Sequence, residues 1–146
     1  MYHVIALVGD NNCGKTTTLN MVYDNVMRKG GTSVISKQPL GHQRVRALYN
    51  DFSSVVSFMG RQIMFYTMGD YADTGDFMAE YYRKGFDMFV CALSTTRKRH
   101  FLDIRKYSNT KIPKTVATNA SEQKRVNTKD AEHIYSLICE VLNRQI

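Results

Sequence analysis

The period of apolar positions changes along the chain, and each change marks an element. Val4-Ile5-Ala6-Leu7-Val8 is a continuous apolar run of strand length, the pattern of a strand covered on both faces. Leu19, Val22, Tyr23, Val26 and Met27 then recur at helical spacing until Gly30-Gly31 ends the segment. Val34-Ile35, within Thr32 to Ser36, predicts a short strand closed by Lys37-Gln38-Pro39. Residues 40 to 50, with His42, Arg44 and Arg46, hold no period and predict a mobile, basic connection.

Two extended apolar runs follow, residues 52 to 59 and 62 to 68, separated by Gly60-Arg61 alone. That spacing predicts a tight β-hairpin. The first run alternates; the second is nearly continuous, as a buried central strand is. Phe77, Met78, Tyr81 and Tyr82 predict a helix from about Thr74 to Lys84, with Gly85 just past its end. Asp87 to Leu93 reads as another buried strand, residues 98 to 108 as a weaker helix, and Thr115-Val116-Ala117-Thr118 as the last strand. From Thr128 onward Ala131, Ile134, Tyr135, Ile138, Val141 and Leu142 mark a closing amphipathic helix, capped by Asn127 with Asp130 in its first turn. No repeat and no low-complexity segment interrupts this order.

Strands alternating with helices predict an α/β fold in three layers: a mostly parallel sheet of five to six strands, one β-hairpin at its edge, helices on both faces. Ligands bind such sheets at the carboxyl ends of the strands. Residues 9 to 17, 69 to 76, 94 to 100 and 118 to 121 each follow a predicted strand and are expected to share one edge.

The first of these segments carries the clearest chemistry. Gly9-Asp10-Asn11-Asn12-Cys13-Gly14-Lys15-Thr16-Thr17 matches G-x-x-x-x-G-K-[ST] between a strand and a helix, the context that a phosphate-binding loop requires. Gly9 and Gly14 let the loop wrap tightly and aim the N–H groups of Asn11 through Thr17 inward. Lys15 brings a mobile point charge to the outer phosphates, and Thr16 brings a hydroxyl to Mg²⁺. Cys13 lies within this nest as a small loop residue whose thiol faces positive potential.

Composition adds less. The 146 residues suit one domain, and 43% hydrophobic with 23% charged residues is an ordinary globular balance. Cys13, Cys91 and Cys139 are odd in number and lack metal-binding spacing, as free thiols in a reducing compartment would be. No apolar run is long enough to span a bilayer and the N-terminus lacks a basic leader, so a cytoplasmic protein is expected. The net charge of +7 is partly local. Residues 97 to 114 hold seven Lys or Arg against one Asp, which makes an acidic protein or a nucleic acid a candidate partner there.

On Gly9, Gly14, Lys15, Thr16 and the strand order, the chain resembles the P-loop nucleoside triphosphatases. The hairpin ahead of a buried strand is similar to that of small GTPases, and Gly14-Lys15-Thr16-Thr17-Thr18 looks like the loop of signal-recognition and partition-type NTPases. The resemblance implies ATP or GTP as ligand and Mg²⁺ as cofactor, held partly by a second aspartate that closes a buried strand. Asp70 is that candidate and Asp73 the next, although Thr67 occupies the place directly after the four apolar residues Ile63 to Tyr66. Asn119 is the candidate for base binding. Its stretch, Asn119-Ala120-Ser121-Glu122, lacks the lysine of the guanine motif N-K-x-D and carries a longer acid, which favours ATP over GTP. Lys15 and Arg97 are the expected catalytic cations, Arg97 by analogy with the lid arginines of small kinases. Three functions follow from these residues: nucleoside triphosphate hydrolysis coupled to a conformational switch, a small-molecule or nucleotide kinase, or a nucleotide-regulated module that binds nucleic acid or protein.

Overall fold

The computed structural model of the chain describes residues 1–68 and 73–144. Its centre is one six-stranded sheet. The strands are β1 (His3–Gly9), β2 (Thr32–Pro39), β3 (Phe52–Phe58), β4 (Arg61–Tyr66), β5 (Met88–Ser94) and β6 (Ser108–Pro113). Four helices cover them: α1 (Lys15–Arg28), α2 (Thr74–Arg83), α3 (Lys98–Ile104) and α4 (Ala120–Arg144). The spatial order is β2-β3-β4-β5-β1-β6. β4, β5, β1 and β6 run parallel, while β3 is antiparallel to β4 and β2 antiparallel to β3.

Within the apolar runs, successive residues go to opposite layers. Ile5 and Leu7 of β1, Ile63 and Phe65 of β4, and Met88 and Val90 of β5 pack with Leu19, Val22 and Val26 of α1 and Ile134 and Ile138 of α4. Their neighbours Val4, Ala6, Met64, Tyr66, Phe89 and Cys91 pack with Met78 of α2 and Ile104 of α3. A strand covered twice has no polar face to offer, which is why these runs read as continuous. Each fully buried aliphatic or aromatic side chain contributes about 1.5–3 kcal/mol. The expected three-layer fold is therefore the observed one.

Several boundaries move, each for a local reason. The hairpin turns at Met59-Gly60, since both residues have positive φ, 53° and 72°, and Phe58 pairs with Arg61. A two-residue turn of this hand needs left-handed backbone at both positions. The last strand is Ser108–Pro113, with Thr115 to Thr118 beyond it. β6 is an edge strand with Ile112 its one buried residue, too polar to stand out by hydrophobicity, and Pro113 ends it where no ladder N–H is required. That leaves α3 only Lys98–Ile104. Helix α4 begins at Ala120, well before Thr128, because its first turns are polar and its apolar period starts only at Val126.

Asn127 and Asp130 are therefore interior residues of α4, and both are buried. Asp130 holds Lys114, whose side chain has 0% exposure, at 3.0 Å. It also accepts hydrogen bonds from the Thr115 amide (2.9 Å) and hydroxyl (2.7 Å), while Lys114 donates to the Thr115 carbonyl (2.7 Å). Burial pushes the Asp130 carboxyl up, but the bonds from Thr115 and Lys114 outweigh it and hold the group below its ordinary value. A depressed carboxylate adds stability above its unfolded value and loses it as pH falls through the folded one. Asp130→Asn should cost about 3 kcal/mol at neutral pH, because it strands a buried ammonium. In urea denaturation at several pH values, its deficit against the parent should begin to shrink as pH falls below about 4, where the unfolded carboxylate starts to take up its proton, and should close only below the depressed folded value.

Candidate functional site

β1 delivers the chain to Gly9 at the carboxyl edge of the sheet, and α1 starts six residues later at Lys15. Between them Asn12 and Gly14 take positive φ, 62° and 96°, which curls the backbone into a nest of inward N–H groups. The loop packs closely around glycine at both ends, and at Gly14 the positive φ disfavours a Cβ as well. A Cβ at Gly9 would lie 2.7 Å from Cys13 Sγ and 3.0 Å from Lys114 Cβ, and one at Gly14 would lie 2.6 Å from Asn127 Oδ1 and 2.7 Å from Gln123 Nε2. Gln123 also donates to the Cys13 carbonyl (3.4 Å) and to Asn127 Oδ1 (2.8 Å). The polar first turns of α4, which sequence periodicity passes over, thus buttress the loop.

Helix α1 has Gly14 at its N-cap, no side-chain cap bond and no acid in its first turn. Its first intrahelical bond runs from the Thr18 amide to the Gly14 carbonyl (3.0 Å). The amides of Lys15, Thr16 and Thr17 accordingly have no acceptor inside the helix and carry its partial positive charge. Lys15 Nζ lies against the loop, donating to the carbonyls of Gly9 (2.9 Å) and Asp10 (2.6 Å), with Cys13 Sγ at 3.8 Å. Such a terminus is a ready anion site.

Because β5 pairs with β1, the loop after β5 meets the phosphate loop directly. The Thr95 amide donates to the Gly9 carbonyl (3.3 Å), Ser94 Oγ donates to Asn11 Oδ1 (3.2 Å), and the Thr95 hydroxyl bonds the Asp10 carboxylate. Arg97, exposed at the N-cap of α3, follows in the same loop. Asn119 stands at the start of α4, where its Oδ1 accepts from the Glu122 amide (3.0 Å) and Ser121 Oγ (2.6 Å). Its side-chain oxygen is thus engaged as a helix cap. Asp70 lies outside the described residues, and Asp73 holds the N-cap position of α2. In the basic segment Arg97, Lys98, Arg99, Arg105, Lys106 and Lys111 are exposed. Lys106 lies 3.6 Å from Asp103, and Lys114 leaves the surface altogether for Asp130.

One carboxylate beside the loop has no signal in the sequence pattern. Asp51 Oδ1 accepts hydrogen bonds from Thr16 Oγ1 (2.7 Å) and Thr67 Oγ1 (2.7 Å). Thr67 is buried beyond the end of β4, and its hydroxyl also accepts from the Phe52 amide (2.9 Å). The segment is fixed from behind by Asn20, whose amide donates to the carbonyls of Thr16 (2.9 Å) and Asn50 (3.1 Å). Lys37 donates to Asn20 Oδ1 (2.7 Å) and stands over the Tyr23 and Phe52 rings at 4.7 and 4.5 Å. A search at the ends of strands cannot find Asp51, because β3 is antiparallel and brings its start to this edge. The position directly after the apolar residues of β4 is held by Thr67, a hydroxyl that bonds the Asp51 carboxylate.

Among the described residues no group of three or more His, Cys, Asp or Glu is arranged to hold a metal, and no helix is long and apolar enough to cross a membrane. No curated protein and no solved structure matches the chain. The family model described as ABC transporter matches residues 2–133, a span that runs from β1 into α4 and includes the whole phosphate loop. The chain belongs to the ABC transporter family, within the P-loop nucleoside triphosphatases, whose general activity is the binding and hydrolysis of ATP.

Proposed function

We propose that residues 9 to 17 bind the phosphates of ATP together with Mg²⁺, and that hydrolysis of this nucleotide drives a conformational change. The observation that carries the reading is the uncapped α1 terminus, with Lys15 and Thr16 in its first turn and two closely packed glycines before them. In this reading the inward amides from Asn11, Asn12, Cys13 and Gly14 through Thr17 hold the phosphate oxygens. The Lys15 ammonium exchanges its carbonyl partners for the outer phosphates. The residues present fit Mg²⁺, since the hydroxyl of Thr16 and the carboxylate of Asp51 are hard oxygen donors and this cation takes few protein ligands besides phosphate and water. When bound, Mg²⁺ neutralises charge that develops on the phosphates. Family membership supports ATP as the nucleotide.

Coupling has a physical route. Lys15 donates to the Asp10 carbonyl, and the Asp10 carboxylate bonds Thr95 in the loop that leads to Arg97 and α3. Drawing the ammonium towards phosphate changes the partners of Asp10 and hence this junction. Arg97 would meet the transferring group from the same loop and stabilise charge there.

Titration of ATP by calorimetry tests binding. Lys15→Ala should weaken ATP by about 10- to 100-fold, the worth of a charge-assisted bond to phosphate. Gly14→Ala should lower both affinity and unfolding free energy, the latter by about 1–3 kcal/mol, because a Cβ is strained at its φ of 96°. Arg97→Ala should slow phosphate release at least tenfold while leaving the dissociation constant for ATP within about threefold, the split expected of a group that acts on the transition state. An unchanged ATP affinity in Lys15→Ala would remove the basis of the proposal.

A further inference from the structure

Thr67 occupies the position directly after the apolar residues of β4, at 3% exposure. A neutral hydroxyl there cannot balance a divalent cation. It does something else: it accepts from the Phe52 amide and donates to Asp51, at 2.9 and 2.7 Å. The same oxygen of Asp51 receives the Thr16 hydroxyl at 2.7 Å. Both hydroxyls give their protons to Oδ1, so the lone pairs of Thr16 Oγ1 are turned away from Asp51 and Oδ2 is left for a further ligand. One carboxylate is thereby fixed beside the first turn of α1 by donors from two separate elements.

We propose that Asp51, reaching the site from the start of the antiparallel strand β3, supplies the carboxylate of the Mg²⁺ site, and that Thr67 positions it. The inference rests on the reading of residues 9 to 17 as an ATP and Mg²⁺ site and assigns that site its acidic group. The backbone supports the placement. Asp51 is tied through its carbonyl to the Leu40 amide (3.1 Å), and Asn20 holds the adjoining Asn50 carbonyl against α1. Sequence position favoured Asp70, and Asp70 is therefore the rival that the experiment must weigh.

The test is calorimetric titration of ATP into the full chain, in EDTA and in Mg²⁺, with electron paramagnetic resonance of Mn²⁺ plus ATP as an independent readout of the cation. The variants are Asp51→Asn, Thr67→Val and Asp70→Asn. The parent should bind ATP more tightly when Mg²⁺ is added. In Asp51→Asn that gain should fall by about 10- to 100-fold, and bound Mn²⁺ should fall with it. Metal-free ATP should bind this variant as well as the parent or better, because a negative charge near the phosphates is gone. A merely structural role would weaken ATP in both conditions. Thr67→Val should lose a smaller share of the gain, about threefold, and serves as the deciding variant if Asp51→Asn does not fold. The inference is overturned if Asp51→Asn keeps the gain, if Asp70→Asn loses it while Asp51→Asn does not, or if Thr67→Val as deciding variant behaves as the parent. A parent that binds no ATP in either condition overturns the phosphate-loop reading itself, and this inference with it. That result is distinct from a parent whose metal gain survives the loss of Asp51.

Discussion

A helix whose first amides have no acceptor is normally closed by the side chain at its N-cap, and α1 forgoes that closure by having Gly14 there. The unsatisfied amides, the positive end of the helix and the Lys15 ammonium then converge on one loop. The surroundings keep this arrangement open. Gln123 and Asn127 of α4 press on Gly14, Cys13 and Lys114 close on Gly9, and Ser94 and Thr95 tie down Asn11 and Asp10. Each of these contacts comes from a different part of the chain, so the nest is a property of the assembled edge more than of nine consecutive residues.

The sheet order decides which parts those are. With β5 between β4 and β1, the loop after β5 borders the phosphate loop and gives it hydrogen bonds. β4 is one strand further away, yet its end still communicates with α1 through Asp51, which spans the interval by bonding Thr67 on one side and Thr16 on the other. The antiparallel edge of the sheet is what makes this bridge available.

Behind the loop, the Lys114 to Asp130 pair shows how a buried charge can serve as a fastener. β6 ends at Pro113, and the Lys114 amide donates to the Val8 carbonyl at 2.7 Å, so the backbone continues the ladder to the last residue before Gly9. The ammonium then points inward to α4. Desolvation of this pair is expensive, but Thr115 supplies two donors to the carboxylate and one acceptor to the ammonium, and a fully bonded pair holds one geometry. The strand end, the loop and α4 are thereby locked together, and a basic segment that reads as uniformly solvated loses one of its charges to the core.

Local chemistry made much of this legible from residues alone. Alternation and apolar continuity expose β1, β3, β4, β5, α1 and α2, because their burial is high enough to impose a period. The glycines, lysine and threonine of residues 9 to 16 expose the phosphate loop, because its backbone angles and charges permit few other residues. Where burial is slight the signal fades: β6 has one buried residue, and the first turns of α4 are polar because they face the loop and not the core. Asp51 lay beyond sequence reasoning for a different reason. Thirty-five residues separate it from Thr16, and only the direction of β3, set by pairing with β4, brings its start to the ligand edge. The sequence by itself determined a strand, a phosphate loop and a helix in register, since those depend on neighbours in the chain. Which carboxylate, which helix and which loop stand against them was decided by strand order and direction, which arise only when the sheet is assembled.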